Sequence, residues 1–148
     1  MPDCASHVWD VDAAADYAVG LLLWLDRSVS ERELHKNEKN WRRDVSISPP
    51  YHARSLMKVG LLGLDAVAEG VIRRLRPFGC DILVCAPGQE DAIRALGCES
   101  VTREALFAAC DAVSVHTCVK AGQPPVVTAR ELDAMALTAW FINITQAE

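Results

Sequence analysis

The feature that most constrains this chain is the alternation, from Lys58 to Glu148, of short apolar runs with segments patterned as helices. The runs Lys58–Leu62, Asp81–Cys85, Ser100–Val101, Ala112–His116 and Ala139–Ile144 read as strands. Between the first two, Ala66 to Phe78 sets Val67, Val71, Leu75 and Phe78 on one stripe at helical spacing, and Gly79 follows as a C-cap. A second helix ends at Gly97 and a third begins after Thr102. A fourth opens at Thr128, with Glu131 completing a capping box. Strand and helix in strict alternation imply a parallel sheet covered on both faces. Crossovers between parallel strands are right-handed. The expected fold class is therefore α/β: a Rossmann-like doubly wound parallel sheet of five strands, ordered about 3-2-1-4-5, with an N-terminal helical arm.

The arm spans residues 1–41, with helix from about Asp12 to Trp41 and a break near Ser28, where Ser30 and Glu33 form another capping box. Its first half is apolar nearly all round, while Glu31 to Lys39 is charged and reads as a wet helix face. Tyr17, Leu21, Leu22, Trp24 and Leu25 point around most of the helix, so one sheet face does not bury them all. A homodimer through this helix is the expected consequence. An exposed edge at Ala139–Ile144 would favour association further. Residues 42–57 form a connector, since Ser46-Ile47-Ser48-Pro49-Pro50 has no period and its prolines disfavour helix. The α/β domain occupies 58–148.

Composition excludes several classes. A net charge of −5 leaves no basic footprint for direct nucleic-acid binding. The apolar run Tyr17 to Leu25 falls far short of a bilayer span, and Met1-Pro2-Asp3-Cys4 lacks the basic and apolar regions of a secretory signal. The six cysteines contain no C-x-x-C pair, and several lie in apolar runs such as Ile82-Leu83-Val84-Cys85. They read as reduced, buried thiols of an intracellular protein, cytoplasmic or nuclear. His116-Thr117-Cys118 is the nearest approach to a metal motif and lacks two further ligands, so no metal is expected.

In an α/β sheet of this kind the working edge is the carboxyl end of the strands. The first turn there is Gly63-Leu64-Asp65-Ala66-Val67-Ala68. Set against G-x-G-x-x-G, it keeps the first glycine, has alanine at the third, and carries Asp65 at the second. That middle position lets backbone amides approach a pyrophosphate, so a charged side chain there obstructs it. The second strand would normally end in a carboxylate for the adenosine ribose; here it ends Val84-Cys85-Ala86-Pro87, with no arginine before Arg94. His116, at a strand end, has no acidic neighbour in sequence to orient it as a base, and reads as part of a turn. His7, His35 and His52 read as solvated, and the four tryptophans as packing residues.

Four segments taken in order carry a family resemblance: Val59-Gly60-Leu61-Leu62-Gly63-Leu64, Arg74-Leu75-Arg76-Pro77-Phe78-Gly79-Cys80, Cys110-Asp111-Ala112-Val113-Ser114-Val115-His116, and Phe141-Ile142-Asn143. Together they resemble the NAD-binding domain of D-isomer-specific 2-hydroxyacid dehydrogenases. The helix from Ala15 resembles the segment before that domain, which in the family helps to make the dimer. The C-terminal-binding-protein corepressors share the layout, so a non-catalytic nucleotide- or protein-binding module with corepressor-type partners stands as the alternative. The resemblance implies NAD, weak or lost, as cofactor. It implies cofactor contacts from Gly63, Leu64, Asp65, Ala66, Val67, Ala86, His116, Thr117, Cys118, Ile144, Thr145 and Gln146. It also implies missing catalytic parts. After the fifth strand the family places an arginine for the substrate carboxylate, where this chain has Gln146, and a neutral amide does not supply a bidentate charged contact. The family's acid–base histidine, its glutamate partner and a substrate domain are expected outside this stretch. No catalytic residue is therefore assigned, and the chain is expected to be a fragment or an inactive member.

Overall fold

The structure, a computed structural model, describes residues 10–26, 57–117 and 122–145. Its strands are β1 (Lys58–Leu62), β2 (Asp81–Cys85), β3 (Glu99–Ser100), β4 (Ala112–Val115) and β5 (Trp140–Asn143). They form one parallel sheet in the order β3-β2-β1-β4-β5, as the strand–helix alternation required. The described helices are α1 (Val11–Asp26), α2 (Ala66–Leu75), α3 (Glu90–Ala95), α4 (Arg103–Ala109) and α5 (Ala129–Asp133).

Alternate strand residues feed two cores. Val59, Leu61, Val84, Ala112 and Ile142 pack with α1 and α2 on one face. Leu62, Leu83, Cys85, Val113 and Val115 pack with Leu106 and Phe107 of α4 on the other. This double burial explains why the strands read as continuous apolar runs rather than as an alternating pattern.

Some boundaries differ from the sequence reading. The helix expected to reach Phe78 stops at Leu75 and tightens into a 3-10 turn, Arg76–Phe78. Pro77 has no N–H to continue the α-helical ladder. Gly79 closes that turn at φ 72, in the left-handed region. β3 falls one residue earlier than Ser100–Val101; Val101 keeps a ladder bond outside the strand, its amide donating to the Val84 carbonyl at 3.0 Å. β4 and β5 are shorter than expected, although the His116 amide still donates to the Leu62 carbonyl.

α1 lies on α2. A Cβ built on Gly70 would come within 2.8 Å of the Ala15 Cβ, so the glycine permits the close approach. Arg74 of α2 pairs with Asp12 and Asp16 of α1. Ala15, Ala18, Val19 and Leu22 are buried in this packing, while Tyr17 and Trp24 are 54% and 44% exposed. The second half of the expected arm, with its Ser30/Glu33 box, and residues 42–56 of the connector lie outside the described residues.

Candidate functional site

The parallel register sets the ends of three strands level. Leu62 pairs with Cys85 on one side and with Val115 on the other. One step on, the Gly63 amide donates to the Cys85 carbonyl at 2.9 Å, and the Leu62 carbonyl accepts from the His116 amide at 2.8 Å and the Thr117 hydroxyl at 3.0 Å. Gly63, Ala86, His116 and Thr117 therefore meet along one edge. Because Val115 pairs with Asn143, Ile144 and Thr145 follow at the same edge beyond β5. Cys118 and Gln146 lie outside the described residues.

Gly63 is irreplaceable on steric grounds. Its φ is +101, and a Cβ there would strike the Thr117 hydroxyl and lie 2.8 Å from the His116 carbonyl oxygen. Past it, Leu64 packs half-buried against the α1/α2 core, Ala66 is exposed and Val67 is buried. Ala68, at the third glycine position, is fully buried. A small side chain there lets the helix start close to the sheet.

Asp65 is the N-cap of α2. Its Oδ1 accepts from the Ala68 amide at 2.7 Å. The carboxylate thus occupies one of the helix-end donors that a phosphate would use. His116 Nδ1 stands 3.8 Å from the same oxygen. The His116 side chain is only 1% exposed, and its Nε2 has no hydrogen-bond partner among the described residues. Burial pushes its pKa below the ordinary histidine value, and the Asp65 carboxylate pulls it back up in part. The sequence reading found no acidic neighbour for this histidine; the fold supplies one from the far side of the turn. An aspartate three residues before a buried helix position was the available signal, since aspartate is a preferred N-cap.

The corner after β2 is different. Ala86 is buried, and its carbonyl accepts from the Gln89 amide. Gly88 takes φ 83, and its amide donates to Glu90 Oε1 at 2.9 Å. That bond holds the exposed Glu90 carboxyl below the ordinary carboxylate range. Sequence reasoning passed over Glu90, whose carboxylate is engaged with its own turn. It also passed over the contact joining α4 to α5, in which Arg103 Nε lies 3.2 Å from Glu131 Oε1. Glu131 completes the capping box expected at Thr128. Cys85, Cys98 and Cys110 carry free thiols, and burial pushes Cys110 up to about 11. Among the described residues no group of three or more His, Cys, Asp or Glu side chains is placed to hold a metal. No described helix is long and apolar enough to cross a membrane.

A doubly wound sheet with a glycine turn at the head of α2 is the setting in which the family comparison decides. The family model for the D-isomer specific 2-hydroxyacid dehydrogenase NAD-binding domain matches residues 19–148. The chain belongs to this family. It is 27% identical over 132 residues to a D-specific alpha-keto acid dehydrogenase of Enterococcus faecalis, covering 89% of this chain and 38% of that protein. It is 27% identical over 142 residues to a glyoxylate reductase of Korarchaeum cryptofilum, covering 93% and 42%. Among solved structures, a D-lactate dehydrogenase of Treponema pallidum superposes with a TM-score of 0.79 at 20% identity, covering 92% of this chain and 40% of that one. The Aquifex aeolicus D-lactate dehydrogenase complexed with NAD and lactic acid gives 0.79 at 16% identity, covering 90% and 40%. These structural likenesses establish the fold. The chain spans about two fifths of the length of these relatives (38% to 42%).

The residues meet a dinucleotide's needs only in part. Gly63 makes the tight turn, the small buried Ala68 lets α2 start close to the sheet, and the helix end offers amides. The Asp65 carboxylate on the Ala68 amide opposes an anion at that end, and Ala86 supplies no ribose acceptor. No hydride-transfer step is derived from these residues.

Proposed function

We propose that this chain is the nucleotide-binding portion of a D-2-hydroxyacid dehydrogenase-type protein and binds NAD weakly, through the edge formed by Gly63 to Val67, Ala86, His116, Thr117, Ile144 and Thr145, with Cys118 and Gln146 as further contacts. One observation carries the weak-binding reading: the Asp65 carboxylate sits on the Ala68 amide at 2.7 Å. A pyrophosphate brought to the same helix end meets like charge. At about 5 Å and an effective dielectric near ~20 that repulsion is worth roughly 3 kcal/mol. Asp65 is 37% exposed, so solvent screening reduces the effect to about tenfold in affinity. Calorimetry with NAD on the parent, Asp65→Asn and Asp65→Gly tests this. Asparagine removes charge but keeps size, so it recovers part of the affinity and glycine recovers more. Equal affinity in all three sinks the reading.

Reduction of a 2-oxo acid is the chemistry proposed for the whole assembly in which such a portion works. No catalytic side chain is assigned within this stretch. The corepressor-like alternative gains no support from the relatives described above. For assembly, we infer a homodimer through α1, whose Tyr17 and Trp24 stand exposed beside the buried Leu22 face. Sedimentation at micromolar concentration checks this, and a clean monomer rejects it. The buried free thiols of Cys85 and Cys110 support a reducing intracellular compartment, cytoplasmic or nuclear.

A further inference from the structure

His116 is a buried ionisable side chain that the reading above places at the NAD-binding edge without using its ability to take up a proton. Its position beside Asp65 gives that proton a role. The two residues come from opposite sides of the edge, Asp65 from the start of α2 and His116 from the end of β4. Nδ1 and Oδ1 are 3.8 Å apart, too far for a hydrogen bond and close enough for charge to act. Nε2 is buried and has no hydrogen-bond partner among the described residues.

We propose that His116 and Asp65 form a proton-operated gate on the anion site at the N-terminus of α2, so that a dinucleotide pyrophosphate binds more tightly as pH falls. The proposal rests on the reading that this turn receives a dinucleotide. With neutral imidazole, the helix end carries the uncompensated Asp65 carboxylate, and the gate is closed. With a proton on each ring nitrogen, the imidazolium offsets that carboxylate, and the like charge facing a pyrophosphate is cancelled. Linkage is reciprocal: a bound pyrophosphate must then raise the affinity of His116 for its proton.

The surroundings leave Asp65 as the partner. Asp65 is the charged group acting on His116 among the described residues. At this edge β1 ends in Leu62, β4 in Val115 and β5 in Asn143, none of which titrates. Asp26, on α1, is the buried carboxylate among the described residues. Burial disfavours the charged imidazole, so the gate opens toward acid.

Calorimetry with NAD, whose pyrophosphate does not itself titrate in this range, at about pH 8 and about pH 6 tests the gate on the full chain. The parent is expected to bind about five- to tenfold more tightly at the lower pH, as uptake of one proton allows. His116→Gln should bind equally at both, and Asp65→Gly should bind tightly at both. A pH-independent parent, with Asp65→Gly still tighter than the parent at about pH 8, overturns the gate and leaves the Asp65 reading standing. Asp65→Gly no tighter than the parent at that pH overturns both. Retained pH dependence in His116→Gln also overturns the gate. An NMR titration of the parent needs no substitution at all. The His116 ring must titrate at higher pH with NAD bound than without it, and an unchanged titration rejects the proposal.

Discussion

The corners after β1 and after β2 depart from the family pattern in different ways. After β1 the backbone is ready: Gly63 makes the tight turn, Ala68 is small and buried, and a single side chain, Asp65, spoils the charge. After β2 the functional carboxylate is missing at Ala86, and the following turn has closed on itself, with Gly88 bonded to Glu90. On the proposed reading the first corner is obstructed and the second is unequipped. An obstruction is removed by one substitution, whereas equipment must be added in the correct geometry.

The sharpest test of the first corner is Gly63→Ala. The positive φ and the overlap with Thr117 and the His116 carbonyl predict a loss of about 2 kcal/mol or more. Urea unfolding measures it, and a loss below about 0.5 kcal/mol would show that the turn is not sterically fixed. At the second corner, Ala86→Asp should tighten NAD binding by a smaller amount, about three- to tenfold. Calorimetry on Ala86→Asp, alone and with Asp65→Gly, compares the corners directly. If Ala86→Asp alone gains more than Asp65→Gly, the comparison is reversed and the ribose corner limits affinity.

The smallest effect is on stability against pH. The folded-state pKa of His116 is depressed, chiefly by burial, so the unfolded chain binds more protons below the ordinary histidine value. Stability contributed by the neutral, buried ring is fully present above that value. It declines as pH falls toward the folded pKa. Thermal unfolding of His116→Gln should show a shallower decline over the same range. An equally steep decline would assign the acid sensitivity to other groups.

Much of the fold was legible in the pattern of residues. The apolar runs of β1 and β2 were bounded to the residue, because strands buried on both faces admit few polar interruptions. β3 was placed one residue late, since its two residues are exposed and carry no hydrophobic signal. The turn residues Gly63, Asp65 and Ala68 were legible because one motif holds them at fixed spacing. The Glu90 bond to Gly88 went unnoticed, because local side-chain-to-backbone bonds depend on turn geometry rather than on residue type alone.

The sequence by itself determined the strand order, the glycine turn at the head of α2, the aspartate within it and the missing carboxylate at Ala86. Each of these follows from local spacing and from the rule that parallel strands need right-handed crossovers. Tertiary structure decided what the aspartate does and what stands beside it. Only the parallel register of β1 and β4 brings His116 to within 3.8 Å of Asp65. Only the packing of α1 on α2 buries Leu22 while leaving Tyr17 and Trp24 exposed. Both depend on contacts between segments distant in the chain, which no local pattern of residues encodes.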